Sequence, residues 1–220
     1  MNSRISQICS HLGRGRAFAD VGCDHGYCAE YALENQLFEK VYISDISAGS
    51  LKKAEELLKD YVQAGKCIPV LADGMQGLPK DLDALLIAGL GGEEIIKILR
   101  EGYLPKRFVF QPMKNAEKLR SFLVECGAKI TADYTFGEGY FYDLIAGENA
   151  GGSSYTEREI LFGKNNLAKP TLSFLHKLEE ERRKILGYLE EGKMSEKNRE
   201  KLSSRLREVE EVIHDIAGNI

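Results

Sequence analysis

The chain has 220 residues, 43% of them hydrophobic, and a formal net charge of −4, which allows one domain of ordinary size plus an appendage. That acidic balance excludes a protein that holds nucleic acid by bulk charge alone, though not one with a local basic face. No apolar run reaches the roughly 18 to 20 residues that span a bilayer, and no signal-peptide-like block follows Met1-Asn2-Ser3-Arg4, so the expected location is cytoplasmic, with no membrane partner. The five cysteines (Cys9, Cys23, Cys28, Cys67, Cys126) are odd in number and lack C-x-x-C spacing. They read as reduced thiols and suggest neither a disulfide framework nor a metal site.

Along the chain, residues 4–12 place Ile5, Ile8 and Leu12 at helical spacing, and residues 1–19 hold Arg4, Arg14 and Arg16 without an acid. The pattern predicts a short basic helix beside the first strand. Ala17 and Phe18 lead into Ala19-Asp20-Val21-Gly22-Cys23-Asp24-His25-Gly26-Tyr27, which reads as a strand ending in a tight turn that opens a helix over 27–36. Gly22 and Gly26 let the backbone turn sharply, and Asp24, in the place of a glycine, tolerates the left-handed region. Acid-x-Gly-x-Asp-x-Gly resembles a loop for S-adenosylmethionine more than one for a pyrophosphate.

A second strand, 41–45, ends in Asp45, 23 residues beyond Gly22, near the interval at which an acid meets a ribose diol. Ser47 is placed to cap a helix whose apolar face is Leu51, Ala54, Leu57, Leu58 and Tyr61. A third strand, 67–72, runs into Asp73-Gly74, an acid for an adenine amine and a glycine that leaves room for the ring. Residues 83–88 form a near-continuous apolar strand, as expected in the middle of a parallel sheet, and end in Gly89-Leu90-Gly91-Gly92. The Asn/Asp-Pro-Pro-aromatic signature of many amino-methyltransferases is absent there. The glycine-rich loop suits a flat base attacked at a ring nitrogen. A fifth strand, 107–110, ends in Gln111-Pro112-Met113 and precedes a helix over 116–126. Around it Lys97, Arg100, Lys106, Arg107, Lys114, Lys118 and Arg120 outnumber Glu101 and Glu117, a candidate phosphate-contacting surface. Strands over 129–134 and 140–147, joined by Gly137-Glu138-Gly139, are expected to close the sheet with antiparallel pairing.

From about Tyr155 glycine thins out. Leu175, Leu178, Arg182, Ile185 and Leu189, and then Leu202, Leu206, Val209, Ile213 and Ile216, alternate spacings of three and four. Two helices turned around Gly192-Lys193-Met194-Ser195 are expected to form an antiparallel coiled-coil hairpin. Its basic residues Arg182, Arg183, Lys184, Arg199, Lys201, Arg205 and Arg207 are candidate RNA contacts, with a structural prop or dimer contact as the alternative.

Through the first glycine turn, Ala72-Asp73-Gly74, Ile87-Ala88-Gly89-Leu90-Gly91-Gly92, Phe110-Gln111-Pro112, Tyr140-Phe141-Tyr142-Asp143-Leu144-Ile145 and Leu161-Phe162-Gly163, the chain resembles the bacterial tRNA (adenine-22-N1)-methyltransferase family along almost its whole length. Family members commonly carry Ser or Thr at Cys23, Ala at Gly26, Leu-Pro at Cys28-Ala29 and Asn at Met113. The resemblance implies a Rossmann-like α/β methyltransferase fold, a seven-stranded mostly parallel sheet in residues 1–154, with the C-terminal hairpin in 155–220. It also implies S-adenosyl-L-methionine as cofactor and methylation of adenine N1 in the D-arm region of tRNA, the partner. The cofactor set comprises Asp20, Gly22, Cys23, Asp24, Gly26, Asp45, Ile46, Asp73, Gly74, Ala88 and Gly89. Asp24 and His25 are the catalytic candidates, and Tyr27, Arg4, Arg14, Arg16 and Lys114 the substrate-binding ones. The expected state is a monomer or weak dimer. A SAM- and RNA-binding protein without turnover and a small-molecule methyltransferase remain the alternatives.

Overall fold

The computed structural model describes residues 3–137 and 139–218; Met1, Asn2, Glu138 of the expected hairpin turn, Asn219 and Ile220 lie outside it. The elements run α1 (Ser3–Cys9), β1 (Gly15–Val21), α2 (Tyr27–Glu34), β2 (Phe38–Asp45), α3 (Ala48–Leu57), α4 (Lys59–Gln63), β3 (Cys67–Leu71), β4 (Ala84–Ala88), α5 (Gly92–Glu101), β5 (Arg107–Gln111), α6 (Ala116–Glu125), β6 (Lys129–Phe136), β7 (Tyr142–Glu148), α7 (Glu157–Phe162), α8 (Lys164–Ala168), α9 (Leu172–Glu191) and α10 (Glu196–Gly218).

The seven strands form one sheet in the order β3-β2-β1-β4-β5-β7-β6. Its first five strands are parallel, and β7 inserts antiparallel between β5 and β6. β4, buried over Ala84, Leu85, Leu86 and Ile87, sits near the centre, as its unbroken apolar run requires. Two apolar layers cover the sheet. Phe18, Val41, Leu86 and Val109 pack towards α1–α3, and Leu85, Ile87, Phe108 and Phe110 towards α5 and α6. Since the order reverses between β1 and β4, the chain leaves these two paired strand ends towards opposite faces of the sheet, and a crevice opens there.

Two expectations about helices are corrected. The helix after Asp45 breaks at Leu58 into α3 and α4, although Ser47 does cap it by accepting from the Ser50 N–H at 3.2 Å. That break turns Leu57 outward while Leu51, Ala54 and Leu58 stay buried. The first helix stops at Cys9, so Leu12 is buried from the following turn.

Hydrogen bonds cross the boundary expected at 154/155. Asp133 on β6 takes hydrogen bonds from the Arg120 Nε (2.8 Å), the Tyr155 hydroxyl (3.1 Å) and the Lys164 N–H (3.0 Å), while Asn165 and Asn166 accept from the Asp133 and Thr135 N–H groups. Thus α7 and α8 complete the edge of the sheet, and only α9 and α10 project as a hairpin. The hairpin core is Phe174, Leu178, Val209, Val212 and Ile216 around Phe162, which adds Phe174 and Val212 to the anticipated seam. Arg182 reaches Glu179 and Glu210, and Arg205 pairs with Glu181 and Glu208 over the Phe162 ring. These two arginines tie the helices together instead of presenting free charge to RNA. Among the described helices, none is long and apolar enough to cross a membrane.

Candidate active site

The β1–α2 turn is built from three left-handed residues, Gly22 (φ 71°), Asp24 (φ 46°) and Gly26 (φ 77°). At Gly26 a side chain would also meet the Ala54 Cβ at 2.9 Å, so α2 and α3 pack closely only because no Cβ stands between them. The turn is stitched to β2 by the Gly22 and Cys23 N–H groups, both donating to the Ser44 carbonyl. Asp20, just before the turn, is buried and accepts from the Ala29 N–H in the first turn of α2, while its Oδ2 has no hydrogen-bond partner among the described residues. Burial, reinforced by the nearby charge of Asp45, pushes its carboxyl up to about 7 despite the Ala29 bond. Burial also raises the Cys23 thiol, with Asp20 and Asp45 adding to it, so this cysteine is an uncharged wall of the turn.

Asp45 closes the second side. Its Oδ2 accepts from the Asp24 N–H (3.2 Å) and its Oδ1 from the Ser47 N–H (2.8 Å), bonds that orient the carboxylate before any ligand arrives. The Ser44 hydroxyl donates to the Gly74 carbonyl at 3.2 Å, which fixes the Asp73-Gly74 turn relative to β2. Ala88 and Gly89 (φ 85°) end β4. Asp20, Gly22, Cys23, Asp24, Asp45, Asp73, Gly74, Ala88 and Gly89 line one cleft of about 920 Å³ at the carboxyl edge of the sheet, together with Ile46, His25 and Tyr27. Of the cofactor residues expected from sequence, all but Gly26 line this cleft; Gly26 is buried against Ala54 behind the turn.

The outer wall is aromatic. His25 and Tyr27 stack with ring centres 5.6 Å apart and planes 14° from parallel, and Tyr27 is half exposed at the mouth. The His25 Nε2 lies 3.8 Å from the Asp24 carboxylate. Across the cleft Arg4 donates to the Gln111 Oε1 and covers the Tyr142 ring. Lys114 is exposed beside the glycine loop, where its stem would touch a Cβ on Gly91. It stands at the rim without lining the cleft.

Arg14 and Arg16 go elsewhere. They sit at the amino end of β1, the opposite edge of the sheet, where Arg14 bonds the Gln36 carbonyl and Arg16 pairs with Asp81. Adjacency in sequence to the cofactor loop is undone by the length of β1, about 20 Å at the usual rise per residue. In the basic cluster around the fifth strand several members are taken up by partners from other elements. Lys106 pairs with Asp83, Arg107 bonds the Arg14 carbonyl, Lys118 pairs with Glu93, and Arg120 is buried against Asp133.

Comparison with known proteins bears on this arrangement. A family model described as a methyltransferase domain matches residues 1–145. A Mycoplasma pneumoniae protein, provisionally named a tRNA methyltransferase, is 35% identical over 172 residues, covering 74% of this chain and 79% of its own. The chain belongs to the methyltransferase-domain family. The Bacillus subtilis tRNA (adenine(22)-N(1))-methyltransferase is 27% identical over 128 residues, 56% of this chain and 54% of that enzyme. Among solved structures, a Streptococcus pneumoniae protein provisionally named a tRNA (m1A22) methyltransferase, in complex with S-adenosyl-L-methionine, superposes with a TM-score of 0.87 at 25% identity. That match covers 97% of this chain and all of the other.

The matched residues include β1, β4 and the crevice beyond them, the kind of switch point at which open α/β sheets bind ligands. Sequence reasoning missed several groups that the fold brings there: Glu30, Tyr31 and Glu34 from α2, and Leu90, Glu94 and Ile98 from the glycine loop and α5. Helical spacing alone signals that such residues share a face, but not which face meets the cleft. Gln111 and Tyr142 stood inside recognised motifs without a role.

Proposed function

We propose that this protein is an S-adenosylmethionine-dependent enzyme of the bacterial cytoplasm that methylates N1 of adenine 22 in the D-arm region of tRNA. The observation that carries the reading is the convergence of Asp20, the Gly22–Gly26 turn, Asp45, Asp73 and Gly89 on one cleft of about 920 Å³, large enough for a nucleoside cofactor and a second base. The acceptor set fits that cofactor. Asp45, already oriented, accepts from a ribose diol, Asp73 from an exocyclic amine, and the unpartnered, buried Asp20 Oδ2 calls for a donor or a positive charge from the cleft. When bound, S-adenosylmethionine supplies an activated methyl group from its sulfonium.

The acceptor nitrogen needs little from the protein. N1 of neutral adenine carries a lone pair, so no side chain has to remove a proton before attack, and positioning supplies most of the acceleration. Once methylated, the base holds a positive charge. The exposed Asp24 carboxylate, presented by its left-handed backbone, stabilises that charge, and His25 beside it takes up the exocyclic proton. In folded tRNA the N1 edge is covered, so the base has to be turned out into the cleft, where the Tyr27 ring offers a stacking surface at the mouth.

Methyl transfer from labelled S-adenosylmethionine to unmodified bacterial tRNA, followed by nucleoside analysis, tests the reading. 1-Methyladenosine is the expected product. Cofactor binding with no methylated nucleoside would replace it with the reading of a binding protein without turnover.

A further inference from the structure

Arg4, one of the residues that line the cleft, lays a flat cation on an aromatic face just behind it. The Arg4 guanidinium carbon lies 4.6 Å from the centre of the Tyr142 ring, and an Arg4 Nη also bonds the Oε1 of the fully buried Gln111. The same guanidinium approaches to 3.9 Å of the place where a Cβ on Gly89 would stand, so one side chain connects β7 to the turn lining the cleft. Tyr142 is well supported. Phe136 packs on it with ring centres 5.6 Å apart, and the neighbouring Asp143 is held by the Lys177 Nζ at 2.6 Å and the Thr135 hydroxyl at 2.7 Å. Lys177 belongs to α9, so the C-terminal hairpin braces this face.

Resting on the methyl-transfer reading above, we propose that the Tyr142 face is the platform for the acceptor adenine, and that Arg4 occupies it until a tRNA phosphate draws the guanidinium away. The acceptor is planar and becomes a cation on methylation at N1, and an aromatic face attracts such a group. A guanidinium left on that face would repel the developing charge, so the two cannot share it. Arg4 has the long stem and the forked donors to exchange this position for a phosphate. Its departure frees the Gln111 Oε1, an acceptor for the exocyclic amine of adenine. Guanine would set its own carbonyl oxygen against that atom, and the site therefore selects adenine.

Wild type, Tyr142→Ala, Tyr142→Phe and Arg4→Ala are to be compared for methyl transfer to tRNA, for cofactor affinity and for the salt dependence of tRNA binding. Losing a base-stacking ring predicts that Tyr142→Ala lowers kcat/KM for tRNA about 10- to 100-fold with cofactor Kd within about twofold. Tyr142→Phe, which keeps the ring, restores the rate. Arg4→Ala reduces the salt slope by about one phosphate contact. A Tyr142→Ala variant with wild-type kcat/KM overturns the proposal. If that variant loses cofactor binding as well, Tyr142→Leu, which fills the space without an aromatic face, decides: a wild-type rate overturns the platform and a loss with intact cofactor binding supports it. A wild type inactive on tRNA refutes instead the reading beneath the proposal.

Discussion

Replacing Asp20 with Asn should stabilise the cofactor-free protein at neutral pH, even though it removes a charge from the cleft. Asp20 is 4% exposed, its Oδ2 has no hydrogen-bond partner among the described residues, and burial lifts its carboxyl from 3.8 to about 7. Since the folded value lies above the unfolded one, the unfolded chain ionises first as pH rises. Stability is full below about pH 4, falls between pH 4 and 7, and is level above that. A shift of about three units corresponds to about 4 kcal/mol. Asn keeps an acceptor for the Ala29 N–H and imitates the protonated acid, so the Asp20→Asn variant escapes the loss. Urea unfolding of both proteins without cofactor at pH 4.5 and pH 8 should show a gain for the variant of about 1 kcal/mol at the lower pH and of up to about 4 kcal/mol at the higher. A gain that does not grow between pH 4.5 and pH 8 would refute the claim that Asp20 stands uncompensated.

Asp45→Ala should raise the cofactor Kd about 10- to 100-fold, because a charged acceptor with two orienting backbone bonds is lost. Calorimetric titration checks it, and an unchanged Kd would remove the ribose role. Arg120→Ala leaves Asp133 with the Tyr155 hydroxyl and Lys164 N–H but without its buried counter-charge. Stability should fall by about 3 to 5 kcal/mol, read as a shifted urea midpoint, and a loss under about 1 kcal/mol would contradict that role.

How much of this was legible follows from the range of each interaction. The glycine turn, Asp45, Asp73 and the β4 loop could be read because each local pattern fixes a strand end, and a parallel sheet gathers strand ends at one edge. The placement of Arg14 and Arg16 away from the cleft was not legible, because closeness in sequence to Gly22 says nothing about which end of β1 they occupy. Nor were the ion pairs of the basic residues around β5, because their partners Asp83, Glu93 and Asp133 come from other elements. The insertion of β7 between β5 and β6, and with it the meeting of Tyr142 and Arg4 across the sheet edge, depends on long-range pairing that alternation cannot show. Heptad spacing found the hairpin, but placed Arg182 in the seam without its acid partners and missed Phe174, whose neighbour Phe162 lies outside the repeat.

The most direct test of the central claim is to locate the methyl group. A tRNA transcript incubated with the protein and S-adenosylmethionine, then copied by reverse transcriptase, should give a stop at adenine 22 alone, because a methyl on N1 blocks base pairing. That stop should vanish with Asp24→Ala and with a transcript carrying guanosine at that position. Transfer to another nucleoside, or a protein that binds cofactor and leaves every tRNA unmodified, would contradict the account.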